Sequence, residues 1–313
     1  METAFFTCAT SHPFSIISSD GVRNLNEVHI ADPRVSGFLK RLPLIPEDIV
    51  NGAKAMIVAL RSREMIKDIT FVDVLNELRL RPLSETETIE CLKWWLGVTR
   101  QESTSKRLQE RIQLLDALVV SVSGSPTKTI KLSNAQTIPT SETGIIFPTD
   151  GPLPSTVIPT SITSSFDPDD LAFVFHGKQL SLIEWLRHVT DIKVAAANAE
   201  FDVTVSASWA ERVLSVVTKA WPLLPEKAKG DVIKVLKSKS CIPTSTGLKV
   251  PNQAYLPSVN SFQDLPIVIM PSRAIVQVDF REILRSLGVR VCVEPEIILD
   301  RCAKLVHPSS SSC

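Results

Sequence analysis

The chain has 313 residues, with 34 Lys and Arg balancing 34 Asp and Glu, 44% hydrophobic and 22% charged residues, and a pI near 7.0. That length and apolar fraction predict two or three domains, each with a buried core, and exclude disorder of the whole chain. Zero net charge removes the general electrostatic argument for nucleic acid or membrane partners, so only a local patch could supply one.

Residues 1–14 (METAFFTCATSHPF) contain no basic region and no apolar run long enough for a secretory signal, and no window approaches the ~18 consecutive apolar residues of a membrane helix. Cys8, Cys91, Cys241, Cys292, Cys302 and Cys313 are scattered without a CxxC pair or a zinc spacing. Cys91 and Cys292 lie in apolar runs and read as reduced core thiols. These features point to a soluble intracellular protein, cytoplasmic in the simplest case with the nucleus left open, and with no membrane partner.

In chain order, Ser15–Val22 reads as a β-ribbon turn and Pro46–Arg63 as an amphipathic helix. Three helical patterns follow. Phe71–Leu80 places Val72, Leu75, Leu78 and Leu80 near one face; Glu85–Thr99 carries Ile89, Leu92, Trp95 and Leu96; Lys106–Val122 carries Leu108, Ile112, Leu115, Leu118 and Val122. Ser84 and Glu87 have the capping-box spacing that starts the second of these. Adjacent Trp94 and Trp95 cannot both face one core in a helix, which places one of them at a contact between units.

An extended ribbon is expected over Lys128–Ile138 and Ile145–Phe147, around IPTSETG at 138–144. Thr149–Asp170, rich in Pro, Ser, Thr and Asp, reads as a linker. The plan then recurs: helices over Leu180–Val189, Ser206–Trp221 (Val213, Leu214, Val217 and Trp221 inward) and Pro225–Ser238, then a ribbon over Cys241–Pro243 and Leu248–Val250 around IPTSTG at 242–247. The two IPTS phrases are 242 − 138 = 104 residues apart, and self-similarity at a fixed period signals a repeated structural unit. Phe280–Val289 and Pro295–Leu305 read as the first helices of a further, truncated copy.

Three helices followed by a β-ribbon is the winged-helix order. The expected fold is therefore α+β and mainly helical, with tandem winged-helix-like repeats: a partial repeat with ribbon over 1–48, full units over 49–165 and 166–275, and helices of a truncated unit over 276–313.

Residues 241–266 (CIPTSTGLKVPNQAYLPSVNSFQDLP), with LRSLGV at 284–289 and PEIILDR at 295–301, resemble the C-terminal region of large fungal proteins of unknown function. The N-terminal part of those proteins carries a histidine-kinase-like, heat-shock-90-like ATPase domain distantly similar to sacsin. The strong part of the resemblance covers about a fifth of the chain. It implies a parent protein that binds ATP elsewhere and carries no functional residue onto this sequence. Only 11 glycines occur, without a GxGxxG or GxxxxGK arrangement, so no nucleotide or other cofactor is expected in this chain.

His12, His29, His176, His188 and His307 have no HxxxH or HExxH spacing. Asp167, Asp169 and Asp170 lack the glycine and terminal glutamate of a calcium loop, and no serine sits in a GxSxG elbow. One charge feature stands out. Lys227, Lys229, Lys234, Lys237 and Lys239 occupy the third helix of the second full unit and its end, where a DNA-reading winged helix places its recognition helix. Lysines alone would give non-specific phosphate contacts, and the interleaved Glu226 and Asp231 favour a solvated face. The residues therefore read as a non-catalytic structural or protein-interaction segment of a larger ATPase or chaperone-like protein. Its partners would be other domains of that parent or separate proteins. A nucleic-acid-binding tandem winged helix is the alternative, and an enzyme with an unrecognised site is weaker still.

Overall fold

The structure is a computed structural model and describes residues 14–122, 128–139, 145–176, 178–257, 264–270 and 274–299. It is α+β with helix predominating, and it divides into two compact units, Met1–Thr137 with Thr156–Lys178, and Ile138–Ser155 with Gln179–Cys313.

The first unit opens with the hairpin β1 (Ser15–Ser18) and β2 (Gly21–Asn24) and a 3-10 turn over Leu25–Glu27. Strand β3 (His29–Ile30) and helix α1 (Pro33–Ser36) follow, then β4 (Leu44–Ile45), which lies parallel to β3. Helices α2 (Glu47–Gly52) and α3 (Lys54–Ser62) together replace the single helix expected over Pro46–Arg63. The backbone breaks between them at Ala53, with φ −120° and ψ 36°. Helix α4 (Phe71–Leu80) starts at a capping box of Thr70 and Asp73, and α5 (Glu85–Thr99) at one of Ser84 and Glu87, directly after the short β5 (Leu83–Ser84).

Helix α6 (Thr104–Ala117) stops short of the expected Val122. The run Val119-Val120-Ser121-Val122 carries three β-branched valines and becomes strand β6 (Val119–Val122), paired antiparallel with β7 (Lys128–Lys131) and parallel with β5. The strand expected at Ile145–Phe147 is absent among the described residues, and 140–144 lie outside them. Thr149–Asp170 is not a linker: Val157 is bridged to Gln136, Ile158 and Ile162 are fully buried, and α7 (Thr160–Thr163) and α8 (Pro168–Phe175) complete the unit.

Two helical faces also differ from the expected ones. In α4 the buried stripe is Val74, Leu75 and Leu78, while Val72 and Leu80 face outward; in α6, Arg111 and Leu114 are buried and Leu108 and Ile112 exposed. Trp94 and Trp95 are both buried in one core. Helix α5 is covered on several sides, so Trp94 meets Phe38 at 6.1 Å while Trp95 stacks on Phe173 at 5.8 Å.

In the second unit, α9 (Leu182–Val189) buries Leu182, Trp185, Leu186 and Val189. After α10 (Ile192–Ala197), helix α11 (Ala207–Ala220) buries Val213, Leu214 and Val217, and Trp221 at its end, as its periodicity predicts. Helix α12 (Glu226–Leu236) leads into the hairpin β8 (Ile242–Thr244) and β9 (Gly247–Lys249), then α13 (Ala274–Leu287) and α14 (295–299). An aromatic chain anchors this core: Phe147 to Trp185 at 5.2 Å, Trp185 to Trp209 at 6.4 Å, and Trp209 to Phe201 at 5.1 Å.

Candidate functional site

Among the described residues one construction occurs three times, and backbone hydrogen bonds build it. A hairpin leads into a 3-10 turn over Leu25–Glu27, Leu132–Asn134 or Pro251–Gln253, and the turn is closed from Val28, Ala135 or Ala254. The next residue donates its N–H across a parallel ribbon: His29 to Pro43 O, Gln136 to Thr156 O and Tyr255 to Pro266 O, each at 2.9 Å. The residue after that donates to a basic residue's carbonyl: Ile30 to Lys67 at 2.9 Å, Thr137 to Lys178 at 2.9 Å and Leu256 to Arg290 at 3.0 Å. These basic residues are 178 − 67 = 111 and 290 − 178 = 112 residues apart, and each precedes a new helix: α4, α9 or α14. The structural period is therefore longer than the 104 residues between the IPTS phrases, and the partner of the β8/β9 hairpin in the first full repeat is β6/β7.

The first and third copies also share side-chain locks. Ser18 Oγ donates to Gly21 O at 2.7 Å, and Thr244 Oγ1 to Gly247 O at 2.6 Å. Gly21 and Gly247 have φ 127° and 100°, which a Cβ would strain. Ser19 Oγ accepts from Leu44 N at 3.1 Å, and Ser245 Oγ from Ile267 N at 3.2 Å.

At each of these two joints a polar ring lies beside an acid at the start of the following helix and a nearby base. Tyr255 Oη donates to Glu294 Oε2 and accepts from Arg290 Nη1, both at 2.8 Å. His29 Nε2 is 3.7 Å from Asp73 Oδ2, and its Nδ1 is buried without a hydrogen-bond partner. Burial holds the His29 pKa below the ordinary imidazole value, with Asp73 opposing that shift and Lys67 reinforcing it. The sequence gives little warning of this role, because His29 belongs to no motif.

The five lysines of and beyond α12 do not form a uniform patch. Lys229 pairs with Glu226 at 2.9 Å and lies over the Trp221 ring, Lys234 pairs with Asp231 at 3.3 Å, and Lys239 Nζ donates to Thr190 O at 3.1 Å. Lys227 and Lys237 are exposed. Asp167 is the N-cap of α8, and Asp170 sits 3.6 Å from Arg100 in a cleft of about 430 Å³. No group of three or more His, Cys, Asp or Glu among the described residues could hold a metal ion. Burial pushes the Cys91 thiol far up and that of Cys241 up to about 12, so neither is a ready thiolate at neutral pH. Among the described residues no helix is long and apolar enough to cross a membrane.

No curated protein and no solved structure matches the chain. A family described as "Protein of unknown function (DUF3684)" matches residues 1–311, and the chain belongs to that family.

Proposed function

We propose that this chain is a non-catalytic structural or protein-interaction segment, built from tandem winged-helix-like repeats, within an intracellular ATPase or chaperone-like parent protein. The observation that carries the reading is the backbone joint seen three times among the described residues, in which polar groups cap turns and tie each hairpin to the residues before the next helix. A repeated backbone construction of that kind organises structure and presents surface rather than a reaction centre. The helix order supports the winged-helix element: α4, α5 and α6 precede β6/β7, and α9, α11 and α12 precede β8/β9, with α10 inserted. The resemblance of 241–266, 284–289 and 295–301 to fungal, sacsin-like proteins supports the parent. The test is ATP turnover by the pure chain. None is expected, and measurable hydrolysis abolished by point substitution within the chain would overturn the reading.

A second reading, nucleic-acid binding, is favoured by exposed Lys227 and Lys237 beside Lys234, which is 80% exposed at its side chain. It requires weak, salt-sensitive retardation of duplex DNA that is lost in Lys234→Glu/Lys237→Glu. No shift at low salt removes it.

A further inference from the structure

We propose that Arg107 and Arg111 form a carboxylate-binding site on the Phe173 ring, which takes the side chain of an acidic segment of a partner protein. The inference names the chemistry of the partner in the interaction reading above and rests on it. Among the described residues four arginines are buried or half-buried: Arg81, Arg107, Arg111 and Arg290. An arginine leaves water at little net cost only where acceptors, carboxylates above all, take up its N–H groups. Arg81 donates to both carboxylate oxygens of Glu87, and Arg290 pairs with Glu294. Arg107 and Arg111 break this relation. No carboxylate among the described residues pairs with either; Glu102 and Glu110 face Lys106 at 2.8 and 3.9 Å, and Asp170 faces Arg100 at 3.6 Å.

The two guanidinium groups reach one ring from consecutive turns of α6. Their central carbons lie 4.5 and 5.4 Å from the Phe173 centroid, and Trp95 stacks on the same ring at 5.8 Å. A ring face attracts a cation but provides no oxygen for its in-plane N–H groups. Arg111, 7% exposed, commits Nη1 to Phe173 O, and Arg107 Nε is buried with no hydrogen-bond partner among the described residues. Like charges four residues apart on a helix also repel each other. A carboxylate shared by the two relieves that repulsion and meets the planar guanidinium fork with two coplanar oxygens. Phosphate suits the pair less well. Its oxygens point in three dimensions and are commonly met by free backbone amides at a helix start, whereas the Arg107 amide is already bound to Ser103 O and Arg111 lies a turn further into α6.

The probe is a fluorescein-labelled hexaglutamate peptide, titrated with the full chain and followed by anisotropy. Saturable binding is expected, weaker at 300 than at 50 mM salt, with affinity at least tenfold lower for Arg107→Met/Arg111→Met. If the double variant fails to fold by circular dichroism, Arg107→Lys is read instead; it keeps the charge and removes the fork, and at least a threefold loss is expected. Lys227→Met/Lys237→Met, which removes two exposed cations of the second unit, should bind like the natural chain. Glutarate should displace the peptide at a lower concentration than phosphate does at equal ionic strength. No saturable binding, equal binding by the folded arginine variant, or an equal loss in the lysine control overturns the proposal. So does displacement by phosphate at the lower concentration, since a phosphoryl group would then be the ligand. Failure here leaves the structural reading intact, whereas ATP turnover would remove that reading itself.

Discussion

Replacing His29 by glutamine should flatten the dependence of stability on pH between 7.5 and 5.5. His29 is 7% exposed, and the charged groups facing it are Asp73 at the start of α4 and Lys67 at the edge of the ribbon. Its pKa is lowered on folding, chiefly by burial, so the unfolded chain binds more protons wherever the pH lies between the folded value and about 6.5. Stability from this group is complete above about pH 6.5 and is lost as the pH falls toward the folded pKa. If the buried ring stays neutral throughout, the loss between pH 7.5 and 5.5 reaches a ceiling of about 1.4 kcal/mol. For a unit of this size that is about 3 to 6 °C in Tm. Glutamine, the residue at the same place in the second joint, cannot take the proton. The assay is thermal and urea unfolding of the natural chain, His29→Gln and His29→Tyr at both pH values, the last installing the ring of the third joint. The same change in Tm on acidification in all of them would refute the reasoning, and a natural chain that gains stability relative to His29→Gln at pH 5.5 would show that the Asp73 attraction wins over burial.

Two glycines should respond differently to alanine. A Cβ at Gly151 would strike the Trp209 ring, which Trp185 and Phe201 hold in place, so Gly151→Ala should cost about 1 to 3 kcal/mol in urea unfolding. A Cβ at Gly37 would meet only the flexible carboxylate of exposed Glu90, and Gly37→Ala should change stability by less than about 0.5 kcal/mol. Arg81 donates to both carboxylate oxygens of Glu87 at 2.9 Å and to Phe38 O at 2.8 Å. Arg81→Met keeps its bulk but leaves Glu77, 3% exposed, with only the Lys40 and Arg41 amides; about 2 to 3 kcal/mol should be lost, read from the shift in urea midpoint. Cys292, expected in the core from its apolar run, is exposed in the structure, and it should be alkylated by iodoacetamide at pH 8 well before buried Cys91 and Cys241, as peptide mass mapping over time would record.

The sequence was most legible where side chains set the structure. The inward stripe of α9 and α11, the capping box at Ser84 and the β8/β9 ribbon follow from periodicity and turn chemistry, since burying an aliphatic face on a 3.6-residue period leaves a pattern that can be counted. It misled where a polar residue occupied the inward stripe. Arg111 is buried on α6 because Nη1 reaches Phe173 O at 2.9 Å and its guanidinium lies over the Phe173 ring, a partnership 62 positions away that no local pattern reveals. The repeat register was lost for a different reason. The joint depends on N–H and C=O groups, which every residue but proline supplies, so His29, Gln136 and Tyr255 can occupy one position without sharing chemistry. Positions constrained by turn geometry or a side-chain lock keep a trace between copies, as Ser19 and Gly21 do in Ser245 and Gly247. The IPTS phrase is the longer match, yet it pairs a stretch without a described strand against a true hairpin. Four scattered identities at a fixed offset of 226 residues, Ile16, Ser19, Gly21 and Asn26 with Ile242, Ser245, Gly247 and Asn252, mark the structural equivalence better, because they fall in the hairpin and the 3-10 turn that lead into the joint in both copies.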